Sequence, residues 1–378
     1  MKVYPGHNTL IALVSNSTWS VFNFRADIIR MLIEDGFRVL VIAPEDDYAP
    51  RLRHMGCQIH PIEFNNRTIN PFSDLSFYLE LRKIYRLYQP AFIFHYVAKP
   101  NIFGSIAAFH SGIPSVAVIT GLGYAFSRQN LLYKLMSRLY RFSLTRSSEV
   151  WFLNKEDANV FIREDLVDIR KVKVLPGEGV NTEHFRPLPA QTRKKFRFLM
   201  STRLLESKGV ALYAAAARIL KRKNYDVEFH LIGFFEKHHP DTISLADLHN
   251  WQTEGLLQYK GFANDVREYL KDADCFVFPS FYNEGVPRCL MEASSMELPI
   301  ITSYNRGCKD VVLHNETGFL CQKNNAFDLA EKMEQMILLD ERSRKVMGRL
   351  GRKYMMEKFS MERVYQEYRQ SLQNEMDD

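Results

Sequence analysis

Two glutamates, Glu284 and Glu292, stand with seven residues between them in Pro279-Ser-Phe-Tyr-Asn-Glu-Gly-Val-Pro-Arg-Cys-Leu-Met-Glu-Ala293. The segment opens at the end of an apolar strand, Cys275-Phe-Val-Phe-Pro279, crosses a loop with Gly285 and Pro287, and runs into a helix. Glu284 is a loop residue, and Glu292 belongs to the first turns of the helix. A helix N-terminus presents unpaired N–H groups and a partial positive charge, which suits a diphosphate. Carboxylates on either side of it could accept the hydroxyls of a ribose and a sugar. A second segment, Ser201-Thr-Arg-Leu-Leu-Glu-Ser-Lys-Gly209, also leaves a strand and enters a helix. Arg203 and Lys208 lie in its loop, where both could reach one anion, Arg as a planar fork and Lys as a mobile point charge. Any one of these residues alone reads equally well as a solvated loop charge. The strand, loop and helix arrangement, met twice, is what points to chemistry.

The elements that must hold these loops follow from hydrophobic patterning. Strand Leu10–Val14, a helical pattern through Phe22, Ile28, Ile29 and Leu32, and strand Arg38–Ala43 make a βαβ unit, hence a parallel sheet. The alternation continues with strand Gln58–Glu63, helix Asp74–Tyr88, strand Ala91–His95, helix Asn101–Ser111 and strand Ser115–Thr120. A long basic helical segment, strand Glu149–Leu153, a short helix and strand Lys173–Pro176 complete it. Gly177 to Pro187 is rich in turn formers and lacks periodicity, so the domain boundary is placed there. A second cycle begins with strand Phe196–Ser201 and helix Val210–Lys221. It runs through strands Val227–Ile232, Leu257–Tyr259, Cys275–Pro279 and Ile300–Thr302, with helices dominating from Ala326. The expected architecture is α/β: two doubly wound Rossmann-like domains, 1–176 and 177–359, facing a central cleft. A C-terminal helix, 360–378, is expected to pack back on the first. In such folds ligands bind at the carboxyl ends of the strands.

With these elements in place, the motifs resemble the retaining nucleotide-sugar glycosyltransferases of the GT-B fold, specifically the large family numbered four. There a Glu-x7-Glu pattern and an Arg…Lys-Gly loop form the donor site. Gly177-Glu-Gly-Val-Asn181 with Phe185-Arg-Pro187 looks like the family's linker signature. Tyr259-Lys-Gly-Phe-Ala-Asn-Asp265 looks like its base-binding segment, and Gly307-Cys-Lys-Asp310 and Thr317-Gly-Phe-Leu320 like its later loops. The resemblance implies that Arg203 and Lys208 bind the diphosphate, Glu284 the donor sugar and Glu292 the ribose. It also implies backbone N–H groups at Val286 and Arg288, Gly261 and Phe262 beside a uracil, and Asn16 as a donor contact from the first domain. No divalent metal and no cofactor is implied. The first domain departs from the common pattern. The loop Ser15 to Asn23 has no Gly-Gly pair, and Val118-Ile-Thr-Gly-Leu-Gly-Tyr124 has no histidine to transfer as a catalytic one. The Gly-Leu-Gly-Tyr-Ala-Phe run and Phe64-Asn-Asn-Arg-Thr-Ile-Asn-Pro-Phe72 are similar to a narrower group. That group builds bacterial surface polysaccharides or glycoprotein glycans on an undecaprenyl-diphosphate carrier, its N-acetylgalactosaminyltransferases above all. His95 at a strand end, Lys99, Arg67 and Tyr124 are the acceptor-side candidates. The implied partners are a UDP-sugar and a lipid-linked saccharide.

Composition narrows the remaining classes. Of 378 residues, 46% are apolar and 25% charged, which excludes a disordered chain. Net charge is +6, and residues 51–148 carry 12 basic and only 3 acidic residues, so the first half favours anionic partners. The segment 126–146 has five basic residues, no acidic ones, and apolar residues at helical spacing. It reads as a basic amphipathic helix, suited to an anionic membrane surface or to a domain core with a solvated basic face. Five scattered cysteines argue against a disulfide framework or zinc site and for a reducing compartment. The uncharged stretch Pro100–Ser127 is interrupted at His110-Ser-Gly-Ile-Pro114, so a helix, a turn and a buried strand are expected, not a membrane span. Asp272-Ala-Asp274 matches a metal-binding D-x-D but precedes a strand, at the wrong end for a ligand. No nucleic-acid module is present. The expected location is the cytoplasmic face of the bacterial plasma membrane, as a peripheral protein. Two other readings share the architecture: a UDP-sugar 2-epimerase, which the Glu-x7-Glu loop disfavours, and a non-catalytic sugar-nucleotide-binding scaffold.

Overall fold

A computed structural model of the chain describes residues 8–64, 70–122, 126, 131–189, 195–236 and 239–376. These fall into two compact units, one of Met1–Leu175 with Val364–Asp378 and one of Pro176–Arg363.

In the first unit, strands β1 (Leu10–Val14), β2 (Arg38–Ala43), β3 (Gln58–Pro61), β4 (Phe92–Tyr96), β5 (Ser115–Ile119), β6 (Glu149–Phe152) and β7 (Val172–Val174) form one sheet. Its order is β3-β2-β1-β4-β5-β6-β7, and every pairing is parallel. Helices α1 (Thr18–Glu34), α2 (Ala49–His54), α3 (Pro71–Tyr88), α4 (Ser105–His110), α5 (Leu131–Leu144) and α6 (Lys155–Arg163) connect the strands. β1, β4 and β5 are buried along their whole length, which is why they read as apolar runs with no alternation, interrupted only by His95 in β4 and Ser115 at the start of β5. The uncharged stretch beginning at Pro100 contains a π-helical turn (Pro100–Gly104), α4 and β5. No helix among the described residues is long and apolar enough to cross a membrane.

In the second unit, β8 (Phe196–Ser201), β9 (Val227–Ile232), β10 (Gln258–Tyr259), β11 (Cys275–Phe278), β12 (Ile300–Ser303) and β13 (Gly318–Cys321) pair in the order β10-β9-β8-β11-β12-β13, again all parallel. Helices α7 (Val210–Arg222), α8 (Leu245–Thr253), α9 (Arg267–Leu270), α10 (Arg288–Ser295), α11 (Ala326–Leu338) and α12 (Glu341–Lys358) complete it. One sequence expectation is corrected here: Thr317-Gly-Phe-Leu320 is not a loop, because Gly318–Cys321 is the edge strand β13. Gly318 packs so tightly on the Ile300 carbonyl that a Cβ would lie 2.0 Å from it.

The last helix, α13 (Met361–Met376), belongs to the first unit from Val364 onward. Tyr368 packs on Phe94 and Trp151 with ring centroids 4.7 and 4.8 Å away, and its hydroxyl meets the Tyr96 hydroxyl at 2.8 Å. Arg369 grips Asp35 through two bonds of 2.7 and 3.0 Å. Tyr368 therefore closes the sheet face over β4 and β6. Tyr368→Ala should lower the stability of the first unit by about 3 kcal/mol. Loss of native Trp151 fluorescence at a lower temperature would mark it, and an unchanged thermal midpoint would refute this packing role.

Candidate functional site

The order of each sheet reverses at one place, between β1 and β4 in the first unit and between β8 and β11 in the second. The loops leaving the carboxyl ends of these strands flank a crevice, where α/β sheets take ligands. In the second unit those two loops are Thr202–Gly209 and Pro279–Pro287, the segments that carry Arg203, Lys208 and Glu284.

The structure brings Lys208 and Glu284 together. Lys208 Nζ donates to both carboxylate oxygens of Glu284, at 2.6 and 2.8 Å, with the two residues only 7% and 9% exposed. Ser280 Oγ donates to Glu284 Oε1 at 2.6 Å. The Ser207 carbonyl ties the loops to each other, accepting from the Phe281 and Tyr282 amides at 2.9 and 3.1 Å. Asn305, buried beyond β12, donates to the carbonyls of Ser280 and Tyr282. Lys208 Nζ also lies 5.0 Å from the centre of the Tyr282 ring, an added cation–π attraction. Gly209 follows with φ +84°, and a Cβ there would stand 2.4 Å from the Pro279 carbonyl. The Lys-Gly pair is thus one device: the glycine allows the close turn that drives the lysine inward.

The helices that follow these two loops start differently from most of the chain's, although the short α2, α4 and α9 also lack side-chain caps. α1, α3, α6, α8, α11 and α12 each begin with a Ser, Asn or Asp whose side chain accepts from the first turn. α7 and α10 begin at Gly209 and Pro287, and neither has a side-chain cap. A helix's first turn presents N–H groups of the kind an anion satisfies. Val286 is buried against Gly177, with the ideal Cβ of that glycine 2.9 Å from its own. Glu292 accepts from Arg288 Nε at 2.8 Å. Burial pushes the Glu292 carboxyl above the usual carboxylate range, against the pull of Arg288. Arg203, half-exposed, donates to Glu236 at 2.8 Å. Phe262 beyond β10 is 53% exposed, with Phe234 edge-on at 5.9 Å, and Gly261 has open space around it at φ +78°. Ser280, Asn305, Phe234 and Glu236 escaped the sequence reading. Ser280 sat inside the motif unremarked; the other three carry no spacing signal.

In the first unit two expectations are corrected. His95 does not face a ligand: it is fully buried, its Nε2 meets the Tyr85 hydroxyl at 2.9 Å, and a Cβ on Gly104 would stand 2.4 Å from its ring. Desolvation lowers its pKa to about 3, so it is neutral and cannot pair with a phosphate. Lys99 is also buried, its ammonium bonded to Asp74, so its charge is already neutralised. Asn16 lies just beyond β1, within 3.4 Å of the Ser15 hydroxyl. Arg67 and Tyr124 lie outside the described residues. The basic helix is α5, shorter than 126–146, and its stripe is divided. Tyr140 and Leu144 are buried, while Leu131, Leu135 and Phe142 are exposed beside Lys134, Arg138 and Arg141. Asp274 accepts from the Arg197 amide and Asp272 offers its carbonyl to the Arg197 guanidinium, a junction at the amino end of β11. Among the described residues no group of three His, Cys, Asp or Glu is arranged to hold a metal ion.

The neutral His95 makes a pH prediction. Unfolded, its pKa is about 6.5; folded, it is about 3. Below pH ~6.5 the unfolded chain takes up a proton that the folded chain refuses, so stability falls with pH down to about 3. In His95→Gln, the pH slope of the unfolding free energy between pH 6 and 4 should be shallower by about one proton, ~1.4 kcal/mol per pH unit. Urea titrations across that range test it; an equal slope in both proteins refutes it.

The comparisons with known proteins bear on the fold and the family. Residues 181–354 match the family described as Glycosyl transferases group 1, and residues 10–154 match Glycosyl transferase 4-like. The chain is 31% identical over 351 residues to the N,N'-diacetylbacillosaminyl-diphospho-undecaprenol alpha-1,3-N-acetylgalactosaminyltransferase of Campylobacter jejuni, covering 88% of this chain and 90% of that protein. It is 31% identical over 278 residues to the UDP-Gal:alpha-D-GlcNAc-diphosphoundecaprenol alpha-1,3-galactosyltransferase of Escherichia coli, covering 68% and 69%. Among solved structures, a glycosyltransferase from Rickettsia africae superposes with a TM-score of 0.82 at 18% identity, over 98% and 99% of the two chains. Anabaena HepE in complex with UDP and glucose superposes at 0.79 and 17%, over 97% and 100%. The chain has the GT-B fold and belongs to the glycosyl transferases group 1 family: it is a glycosyltransferase.

Proposed function

We propose that the chain moves an N-acetylhexosamine, GalNAc before others, or a hexose from a UDP-sugar to an undecaprenyl-diphosphate-linked saccharide, with retention at the anomeric carbon and without a divalent metal. The observation that carries this reading is the buried Lys208–Glu284 pair, set between two helix starts without side-chain caps at the switch point of the second sheet. The two lipid-linked relatives named above support the acceptor class, and HepE with UDP and glucose supports the donor class.

The difficult step is departure of the nucleoside diphosphate, because charge builds on the β-phosphate. Arg203, Lys208 and the first-turn N–H groups would stabilise that charge without reorganising, which is where most of the rate would come from. Glu284 would hold the donor sugar through its hydroxyls. The acceptor hydroxyl attacks the anomeric carbon on the face the phosphate leaves: its oxygen forms the new bond, the anomeric C–O bond to the β-phosphate breaks, and the proton passes to the departing phosphate oxygen. Glu292 would accept the ribose hydroxyls and Phe262 would stack on the uracil. A donor screen read by mass spectrometry, with lipid-linked saccharides as acceptors, identifies the sugar and carrier together. Glu284→Gln keeps the volume and an acceptor for Ser280, yet should lower kcat/KM by about 10²-fold or more, while EDTA changes the wild-type rate less than about twofold. Near-normal turnover in Glu284→Gln refutes the site, and an EDTA loss restored by magnesium refutes the metal-free mechanism. Conversion of a UDP-sugar with no acceptor would replace the reading with epimerisation.

The exposed Leu131, Leu135 and Phe142 of α5, beside three basic side chains, support contact with the anionic face of the membrane that carries the acceptor. The Leu135→Asp/Phe142→Asp protein should sediment about tenfold less with vesicles containing phosphatidylglycerol, at unchanged turnover of a water-soluble acceptor analogue. Equal sedimentation of the two proteins refutes that contact.

A further inference from the structure

We propose that Glu236 is a positioning residue for Arg203: it holds one arm of the guanidinium so that the rest of the fork is presented to the donor diphosphate. This rests on the reading of Arg203 as a diphosphate ligand.

Glu236 Oε2 accepts from Arg203 NH1 at 2.8 Å. Among the described residues the Arg203 side chain makes no other hydrogen bond or ion pair, so Nε and NH2 remain for a second acceptor. The geometry matches the two-sided use of a guanidinium, with a carboxylate on one edge and a phosphate on the other. Glu236 is itself fixed. Its carbonyl accepts from the His239 amide at 2.8 Å and the Thr242 hydroxyl at 2.7 Å. The segment around it is bonded along the cationic loop: the Leu204 amide donates to Phe234 O at 3.0 Å and the Ile243 amide to Leu204 O at 3.0 Å. The Glu206 amide donates to Asp241 O at 2.8 Å, and the Ser207 amide to the Asp241 carboxylate at 3.0 Å. The loop after β9 is therefore the template on which the Arg203–Lys208 loop is laid, and Glu236 is its contact with the arginine side chain. An arginine half in water samples many rotamers; one held at NH1 has already given up that freedom before the donor arrives. Glu236 is only partly exposed, and the solvent that reaches it screens its own repulsion toward a diphosphate.

The test uses the full chain, with UDP binding by calorimetry and steady-state kinetics in UDP-sugar. Glu236→Ala should weaken UDP binding and raise the donor KM by about tenfold, with kcat changed less than about threefold. Glu236→Gln, whose amide oxygen still accepts from NH1, should restore both to within about threefold of wild type. In an Arg203→Ala background the Glu236→Ala effect should shrink below about twofold, because the partner through which it acts is gone. Tighter UDP binding in Glu236→Ala would overturn the proposal by showing a competing anion. An undiminished loss in the Arg203→Ala background would overturn it by showing a role confined to loop folding. If Arg203→Ala alone binds UDP as wild type does, the donor reading beneath it falls first.

Discussion

An ammonium and a carboxylate buried against each other at the end of a parallel sheet are what the rest of the second unit is arranged around. Burying Lys208 or Glu284 alone would cost several kcal/mol, and the pair is tolerable because each neutralises the other and Ser280 satisfies a further lone pair. Such a pair is a poor way to gain stability, since apolar residues of similar volume do as well or better. Its use is geometric. Lys208 has three N–H donors in a dry site, and Glu284 has oxygens that accept hydroxyls, both fixed in advance. Asn305, whose side-chain amide donates to loop carbonyls, and Ser207, whose carbonyl accepts from loop amides, bind the loops together and keep the pair from relaxing into solvent. Gly307 adds to this: with φ +67°, its missing side chain lets the β12 loop close on the Gly285 carbonyl, where a Cβ would be 1.8 Å away.

The alternation of strands and helices was legible because fully buried parallel strands are continuous apolar runs, and the helices between them keep a 3.6-residue stripe. The loops that matter were legible for a different reason: Lys-Gly and Glu-Gly-Val-Pro put charge beside residues that permit sharp turns. What was not legible depends on tertiary depth. A histidine ending a strand reads the same whether its ring reaches solvent or, like His95, fills the space beside a glycine of the next helix. The pairing of Lys99 with Asp74, which lies twenty-five positions earlier, leaves no local trace. Asn305 and Glu236 are single polar residues in long loops, and only the fold reveals what they hold. α5 read as one amphipathic stripe, yet part of that stripe is core and part is surface, because the helix carries its apolar residues around more than half of its circumference.

The two units wind in the same sense, yet they spend their equivalent positions differently. In the first, the helix after β1 starts with Ser17, whose hydroxyl accepts from the Ser20 amide, so its amides are already served. The loop after β4 carries a histidine held neutral and a lysine held by an aspartate. Val97 in that loop has φ +66°, an unusual conformation for a β-branched residue, and it leads into the π-helical turn. In the second unit the helices after β8 and β11 start without side-chain caps, and Arg203 keeps donors in reserve. The loop after β4 in one unit thus holds its lysine in an internal pair, while the loop after β8 in the other carries an arginine with donors uncommitted. Of the cations named at these positions, Arg203 keeps side-chain donors beyond its one partner, while Lys208, like Lys99, is held by a carboxylate.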